Sequence, residues 1–222
     1  MSFNTVANFI QPWSPVLMHS TLDAEVVKAF LEITDKILKD PESKSWGKNL
    51  AGEIKDEILI DSHLLENTKV LDKTLYWHLN QYIHFYLAHC LRQSQTPLGK
   101  KEKVSYQTSI KSCWVVSQKE NEYNPVHIHT ECNMSAVFYL KIPNYTDSRK
   151  NKAQDGAIIF FGGDPGHRGQ LRKSYWGHRP APGDLFIFPS DMAHMVHPFR
   201  VSSGDPERRS VSFNIQYQTG VN

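Results

Sequence analysis

The chain has 222 residues, 40% of them hydrophobic and 22% charged, which is enough apolar material for one sizeable core and too much for a disordered tail. Lys+Arg 25 against Asp+Glu 23 leaves a formal charge of +2, too balanced to suggest affinity built on phosphate neutralisation, so no nucleic-acid partner is expected. Three cysteines at wide spacing, Cys90, Cys113 and Cys132, suit neither a disulfide scaffold nor a structural zinc site and point to a reducing, cytoplasmic compartment.

The chain opens with MSFNTVANFIQPWSPV, which has neither a basic start nor a continuous apolar core, and no later run approaches the roughly 20 apolar residues that span a bilayer, so no membrane partner is expected. From Thr21 to about Asp40, Leu22, Val26, Val27, Phe30, Ile33, Ile37 and Leu38 recur at helical spacing, with Ser20 or Thr21 as N-cap and Pro41 just past the end. A second helix is predicted from about Asp72 to Gln93, with Leu75, Leu79, Tyr82, Ile83, Tyr86 and Leu91 as its buried stripe. Its histidines, His78, His84 and His89, read as surface or packing residues.

After Lys103 the pattern changes to short apolar or alternating runs, Cys113 to Ser117, Ser135 to Ile142, Ala157 to Phe161, Leu185 to Phe188 and Ser210 to Gln216. Gly, Pro, Asn and Asp separate them, as in a β-sandwich or barrel. The stretches from Arg149 to Gln154 and from Val201 to Glu207 read as polar loops. The expectation is a mainly β chain with N-terminal α-helices: a single domain over 1–222, in which about 1–100 is a helical support and about 101–222 is the β core. No internal repeat, phosphate loop or G-x-S-x-G nucleophile turn is present, and the glycine-rich stretch from Gly162 to Gly166 reads as a turn beside the site.

Eleven histidines exceed what packing needs, and several gather in the β half. In Asn124-Pro-Val-His127-Ile-His129-Thr-Glu131, His127 and His129 stand two apart, so an extended chain projects both imidazoles to one side, where they can reach one metal ion. The stretch from Gly183 to Pro198 is a buried strand followed by a turn that presents His194, the kind of third ligand a sandwich brings in from a distant strand; His197 reads as a supporting or exposed residue. In Glu207-Arg-Arg-Ser-Val-Ser-Phe-Asn214, Arg208, Ser210, Ser212 and Asn214 share a face. An inward guanidinium with a serine two residues on suits a buried carboxylate, which it grips in a two-pronged fork. Arg209 falls on the other face, solvated or paired with Glu207. Cys132 reads as a packing residue.

These stretches, HIHTECNMSAVFYLKIP, GDLFIFPSDMAH and ERRSVSFNI, together resemble the iron(II)- and 2-oxoglutarate-dependent dioxygenases, whose motif is H-x-(D/E), a distal histidine and R-x-S. The resemblance is nearest to a group of small oxygenases of bacteria and phages, and it covers roughly residues 105 to 217. It implies a double-stranded β-helix (a jelly roll, cupin-like), with Fe(II) held by His127, His129 and His194, and with 2-oxoglutarate held by Arg208 and Ser210, Ser135 and Tyr139 lining its pocket. Here His129 stands where the family's commonest pattern has a carboxylate. A second register, His129-Thr-Glu131 with His194, would restore that pattern; His127/His129 is preferred because the stretch from Asn121 to His127 keeps the family's approach to its first ligand.

The resemblance further implies an enzyme that consumes 2-oxoglutarate and O2, releases succinate and CO2, and hydroxylates a substrate the sequence does not name, with a peptide or protein side chain suggested by prolyl-hydroxylase-like relatives. Phage origin would make the compartment the host cytoplasm, and a homodimer is compatible with the sequence. Two other classes remain open at this stage: a cupin-like metal-binding isomerase or lyase, and a non-catalytic jelly-roll binding module.

Overall fold

The structure, a computed structural model, describes residues 7–10, 16–94, 105–146, 154–162 and 175–220. Its elements are β1 (Ala7–Ile10), β2 (Leu17–Thr21), α1 (Ala24–Ile37), β3 (Asp56–Leu59), α2 (Ser62–Asn67), β4 (Lys69–Val70), β5 (Lys73–Thr74) and α3 (Leu75–Ser94). The β-rich half follows with β6 (Ser105–Gln118), β7 (Asn124–His127), β8 (Met134–Lys141), β9 (Asn144–Tyr145) and β10 (Ile158–Phe161). It closes with β11 (Tyr175–His178), β12 (Asp184–Pro189), β13 (His194–Val196), β14 (Val201–Ser203) and β15 (Arg208–Gly220). The larger sheet has seven strands in the order β1-β2-β12-β8-β15-β6-β3, and the smaller has four, β11-β10-β13-β7.

Period-two alternation decides what each face of the larger sheet meets. Leu185 and Ile187 of β12, Ala136 and Phe138 of β8, and Val211, Phe213 and Ile215 of β15 form one core with Val26 and Phe30 of α1 and Leu79, Tyr82 and Ile83 of α3. The residues between them, Phe186, Phe188, Val137 and Tyr139, turn the other way and pack with Ile158, Phe160 and Val196 of the smaller sheet. Burial on both faces explains why β8 reads as a nearly continuous apolar run instead of an alternating one. The result is a two-sheet sandwich with helices laid over the outer face of the larger sheet, as expected.

Three expectations need correction. Thr21 is the last residue of β2 and not a helix cap; α1 starts at Ala24 behind Asp23, whose carbonyl accepts from the amides of Val26 and Val27. The N-terminal half is also more than a helical support. It supplies β2, which pairs with β12, and β3, which pairs with β6, so both flanks of the larger sheet are built from it. The stretch predicted as a polar loop from Val201 contains β14, paired with β9. Residues 149–153 and 163–166, expected as loops, lie outside the described residues. His78 is packed, with Nε2 2.9 Å from the carbonyl of Val70, and His84 lies 3.0 Å from the Asn80 amide. No helix among the described residues is long and apolar enough to cross a membrane.

Candidate metal and co-substrate site

His127 ends β7 and His194 begins β13, and the two are direct partners across that antiparallel pair, so their side chains leave the sheet side by side. His129 follows in a loop fixed by its own backbone amide, which donates to the carbonyl of Ser190 at 2.9 Å. Ring centroids are 4.2 Å apart for His127 and His194, 5.1 Å for His129 and His194, and 5.4 Å for His127 and His129. One ligand nitrogen from each lies within 4.8 Å of the other two. Nδ1 of His127 is 2.8 Å from the carbonyl of Pro125 and Nδ1 of His194 is 2.9 Å from that of Met192. A carbonyl can only accept, so both rings carry their proton on Nδ1 and turn a bare Nε2 inward.

Burial holds all three imidazoles below their ordinary pKa. His129 is brought to about 4, with the charge of His127 as the second cause and the Asn214 side chain opposing. Three neutral rings are therefore ready as ligands near pH 7. His129 Nε2 stands 3.3 Å from His194 Nε2, a contact that a cation shared by the two lone pairs relieves. This donor set fits a divalent transition metal. Glu131, the carboxylate of the second register, is exposed at a positive φ of 59° and is not part of the three-histidine group.

One cavity is lined by all three histidines and by Tyr139, Arg208, Ser210 and Ser212. Arg208 is 2% exposed. Its Nη1 donates to Oε1 of Gln118 at 3.0 Å, while Nε and Nη2 have no partner among the described residues. The guanidinium carbon sits 4.8 Å from the Tyr139 ring. Among the described residues the hydroxyls of Tyr139 and Tyr145 are likewise buried without a hydrogen-bond partner, and burial raises the Tyr139 phenol to about 12 against the opposing charge of Arg208, so it remains a donor. A buried guanidinium edge left unpaired costs roughly 1 to 3 kcal/mol or more, which a carboxylate on that edge removes.

The remaining expected residues divide. Tyr139 and Ser210 reach the cavity, whereas the Ser135 hydroxyl donates to Oδ1 of Asn214 at 3.0 Å and is not among the lining groups. Ser135 thus steadies the asparagine beside His129. Arg209 is not solvated. It is 5% exposed and bound through Nε and Nη2 to Glu207 at 2.7 and 2.8 Å and through Nη1 to Asp35 of α1 at 2.6 Å. His197 is partly buried, its amide donating to the carbonyl of Ala157.

Glu57 escaped the sequence reading. It lies on β3, is 1% exposed, lines the cavity, and has Oε2 without a partner among the described residues. Burial first and Glu122 second raise its pKa to about 7. No local signal marks it, because a glutamate in a DEIL segment reads as a solvated residue until another strand covers it. A second recess shares His127, His129 and Leu50 with the cavity and is lined further by Trp46, Asn49 and Asn214.

Residues 112–214, which carry the three histidines, Arg208 and Ser210, match the family model described as "Putative 2OG-Fe(II) oxygenase". Among solved structures, a Pseudomonas putida prolyl-4-hydroxylase is similar in fold at a TM-score of 0.58, with 16% identity over 90% of this chain and 92% of that one. The α-ketoglutarate-dependent epimerase SnoN of nogalamycin biosynthesis follows at 0.54, with 18% identity over 90% of this chain and 78% of that one. A Trichoplax adhaerens prolyl hydroxylase, solved with a hypoxia-inducible-factor peptide, gives 0.50, with 12% identity over 95% and 83%. No curated protein sequence matches the chain. One fold thus hosts both a hydroxylase and an epimerase, so the fold does not select the reaction.

Proposed function

We propose that the chain is a 2OG-Fe(II) oxygenase, the family whose model matches residues 112–214, that His127, His129 and His194 hold Fe(II) and that Arg208 and Ser210 hold the far carboxylate of 2-oxoglutarate, so that the protein hydroxylates a C–H bond of a second substrate. The observation that carries this reading is the unpaired Nε/Nη2 edge of Arg208 in the same cavity as three convergent imidazoles. When bound, iron and 2-oxoglutarate supply the oxidising chemistry, in which O2 and 2-oxoglutarate are converted to succinate and CO2 as the substrate is oxidised.

The chain's own residues bind, orient and exclude. The carbonyls of Pro125 and Met192 keep the Nδ1 protons in place and so aim Nε2 of His127 and His194 inward. Gln118 takes one guanidinium nitrogen of Arg208 and leaves the other edge for the carboxylate, with the Tyr139 and Tyr145 hydroxyls as further donors. Val137, Ile158, Phe188 and Val196 make the walls between apolar, which keeps water from the clamp and strengthens its electrostatics. Three neutral ligands leave one more positive charge at the metal than two histidines and a carboxylate would, which favours a dianionic co-substrate. The second recess, lined by His127, His129 and Ile128, is the approach for the primary substrate, and the exposed Tyr123 and Val126 of the β7 region offer an extended peptide further apolar contact. A peptide or protein side chain is the substrate class this arrangement favours.

The test is succinate formation from 2-oxoglutarate with Fe(II) and O2, together with metal content. Wild type is expected to bind about one iron in the three-histidine site, and His194→Ala to lose it together with turnover. Glu131→Ala should keep the iron and His127→Ala should lose it; the reverse pair of results would install the His129/Glu131 register. Metal binding with no 2-oxoglutarate binding would favour a cupin-like lyase or isomerase in which Arg208 grips the substrate itself. Neither metal nor 2-oxoglutarate binding would leave a jelly-roll binding module.

A further inference from the structure

A second constellation lies outside the cavity. His19 of β2, His178 of β11 and Asp184 of β12 bring one ligand atom each within 4.8 Å of the others. Nε2 of His19 is 3.0 Å from Oδ1 of Asp184, and Nε2 of His178 is 2.9 Å from Oδ2, so the two rings converge on the two oxygens of one carboxylate. We propose that His19, His178 and Asp184 form a second, independent site for a divalent transition metal ion of the zinc type.

The geometry supports metal ligation in several respects. Ligands bound at about 2 Å around a tetrahedral ion stand roughly 3.3 Å apart, close to the nitrogen–oxygen separations found here. Each ring is held in place by its surroundings: His19 stacks on Phe186 at 4.6 Å and 11°, and His178 on Trp176 at 5.6 Å and 7°. Asp184 is oriented by the backbone amide of Ala181, which donates to Oδ2 at 2.8 Å. Such ordering of ligands by outer partners is what metal sites require.

Side-chain exposures of 19% for His19 and 27% for His178 leave solvent access, so water can complete the coordination that three protein ligands leave open. The ligands also come from both sheets, β2 and β12 in the larger and β11 in the smaller. A metal there would be a cross-link that fastens the two layers at one end of the sandwich. Its role would be structural, at a place where no strand pairing among the described residues joins the two sheets.

A purely hydrogen-bonded trio is the competing account, and His178→Gln separates the two because glutamine keeps an N–H donor for Asp184 and is a poor ligand for zinc. Tag-free protein stripped of metal is titrated with Zn2+, and with Co2+ for its visible ligand-field bands, in wild type, His178→Gln and His19→Ala. Each variant should bind one equivalent fewer than wild type and lose the tetrahedral Co2+ absorption, with affinity at that site reduced at least about a hundredfold. Zn2+ should raise the melting temperature of wild type more than that of His178→Gln, since ligand binding to the native state alone stabilises it. The comparison is a difference, so it stands even if the three-histidine cluster binds nothing; wild type would then take one ion and the variants none. Equal stoichiometry and equal Co2+ spectra in wild type and His178→Gln would overturn the proposal and leave a hydrogen-bonded strut.

Discussion

Arg208 and Arg209 are adjacent in sequence and opposite in role, because each step along a strand reverses the face. Arg208→Ala is expected to weaken 2-oxoglutarate binding by roughly tenfold to a hundredfold while metal remains bound, since a charge-assisted pair is worth about 1.5 to 3 kcal/mol. Arg208→Lys should recover only part of this, as an ammonium lacks the fork. Calorimetric titration of 2-oxoglutarate into the anaerobic Mn(II) form measures both; unchanged affinity in Arg208→Ala would place the carboxylate elsewhere. The histidines were legible for the same reason as the arginine: a two-residue period, a buried strand and a polar residue where an apolar one belongs. Glu57 was not, because its burial comes from packing that no local pattern encodes. Its raised pKa of about 7, against about 4.5 unfolded, means the folded state holds the proton longer. Stability is therefore lost as pH rises from about 4.5 through 7, by at most about 3 kcal/mol. Glu57→Gln should raise the melting temperature at pH 8.5 and change it little at pH 4.5, in the metal-free chain. An equal gain at both pH values would mean that packing, not charge burial, is responsible.

Between elements, the clearest tie is the ionic knot that fastens β15 to α1 and β6. Glu207 accepts from Arg209, from Lys141 at 3.0 Å and from the Ser117 hydroxyl at 2.7 Å, while Arg209 also reaches Thr34 and Asp35 on the helix. Burial alone would raise Glu207, but these donors outweigh it and hold it at about 2. Removing the guanidinium leaves a buried carboxylate, so Arg209→Ala is expected to cost about 3 to 5 kcal/mol, read as a lower urea midpoint at pH 7. With Glu207 ionised only above about pH 2 in the folded chain, the stability it supports is full above pH 4.5 and lost as pH falls from there toward 2. The gap between wild type and Arg209→Ala should narrow over that window; a constant gap would show that lost packing dominates. Both long helices could be read from their apolar stripes to within a few residues, since a 3.6-residue period over four or five turns is a strong signal. β2 and β3 could not, because strands of five and four residues carry too few alternations and owe their pairing to β12 and β6, remote in sequence.

At the scale of the whole molecule, the family-matching stretch holds the site but does not hold itself together. Residues 105–220 lack β2, which completes the sheet beside β12, and β3, which covers β6 and brings Glu57 to the cavity. They also lack α1 and α3, against which Phe138, Leu185, Ile187, Val211 and Phe213 are packed, each at 0% exposure in the intact chain. Without the helices that whole sheet face would meet water, and at about 25 cal/mol per Å² of apolar area the loss is far larger than the 5 to 15 kcal/mol of net stability typical of a domain. A chain beginning at residue 105 is therefore expected to aggregate or to collapse without fixed packing, binding a hydrophobic dye and lacking dispersed methyl resonances, whereas residues 7–220 should fold cooperatively. The folded 105–222 fragment, if it showed a sharp thermal transition and metal affinity within about tenfold of the full chain, would mean that the helices and the N-terminal strands are decoration on an autonomous sandwich. Burial of Phe138 against Phe30 of α1, with Phe213 in the same core, argues the opposite: the sandwich has two apolar faces, and among the described residues it is the first hundred that cover the outer one.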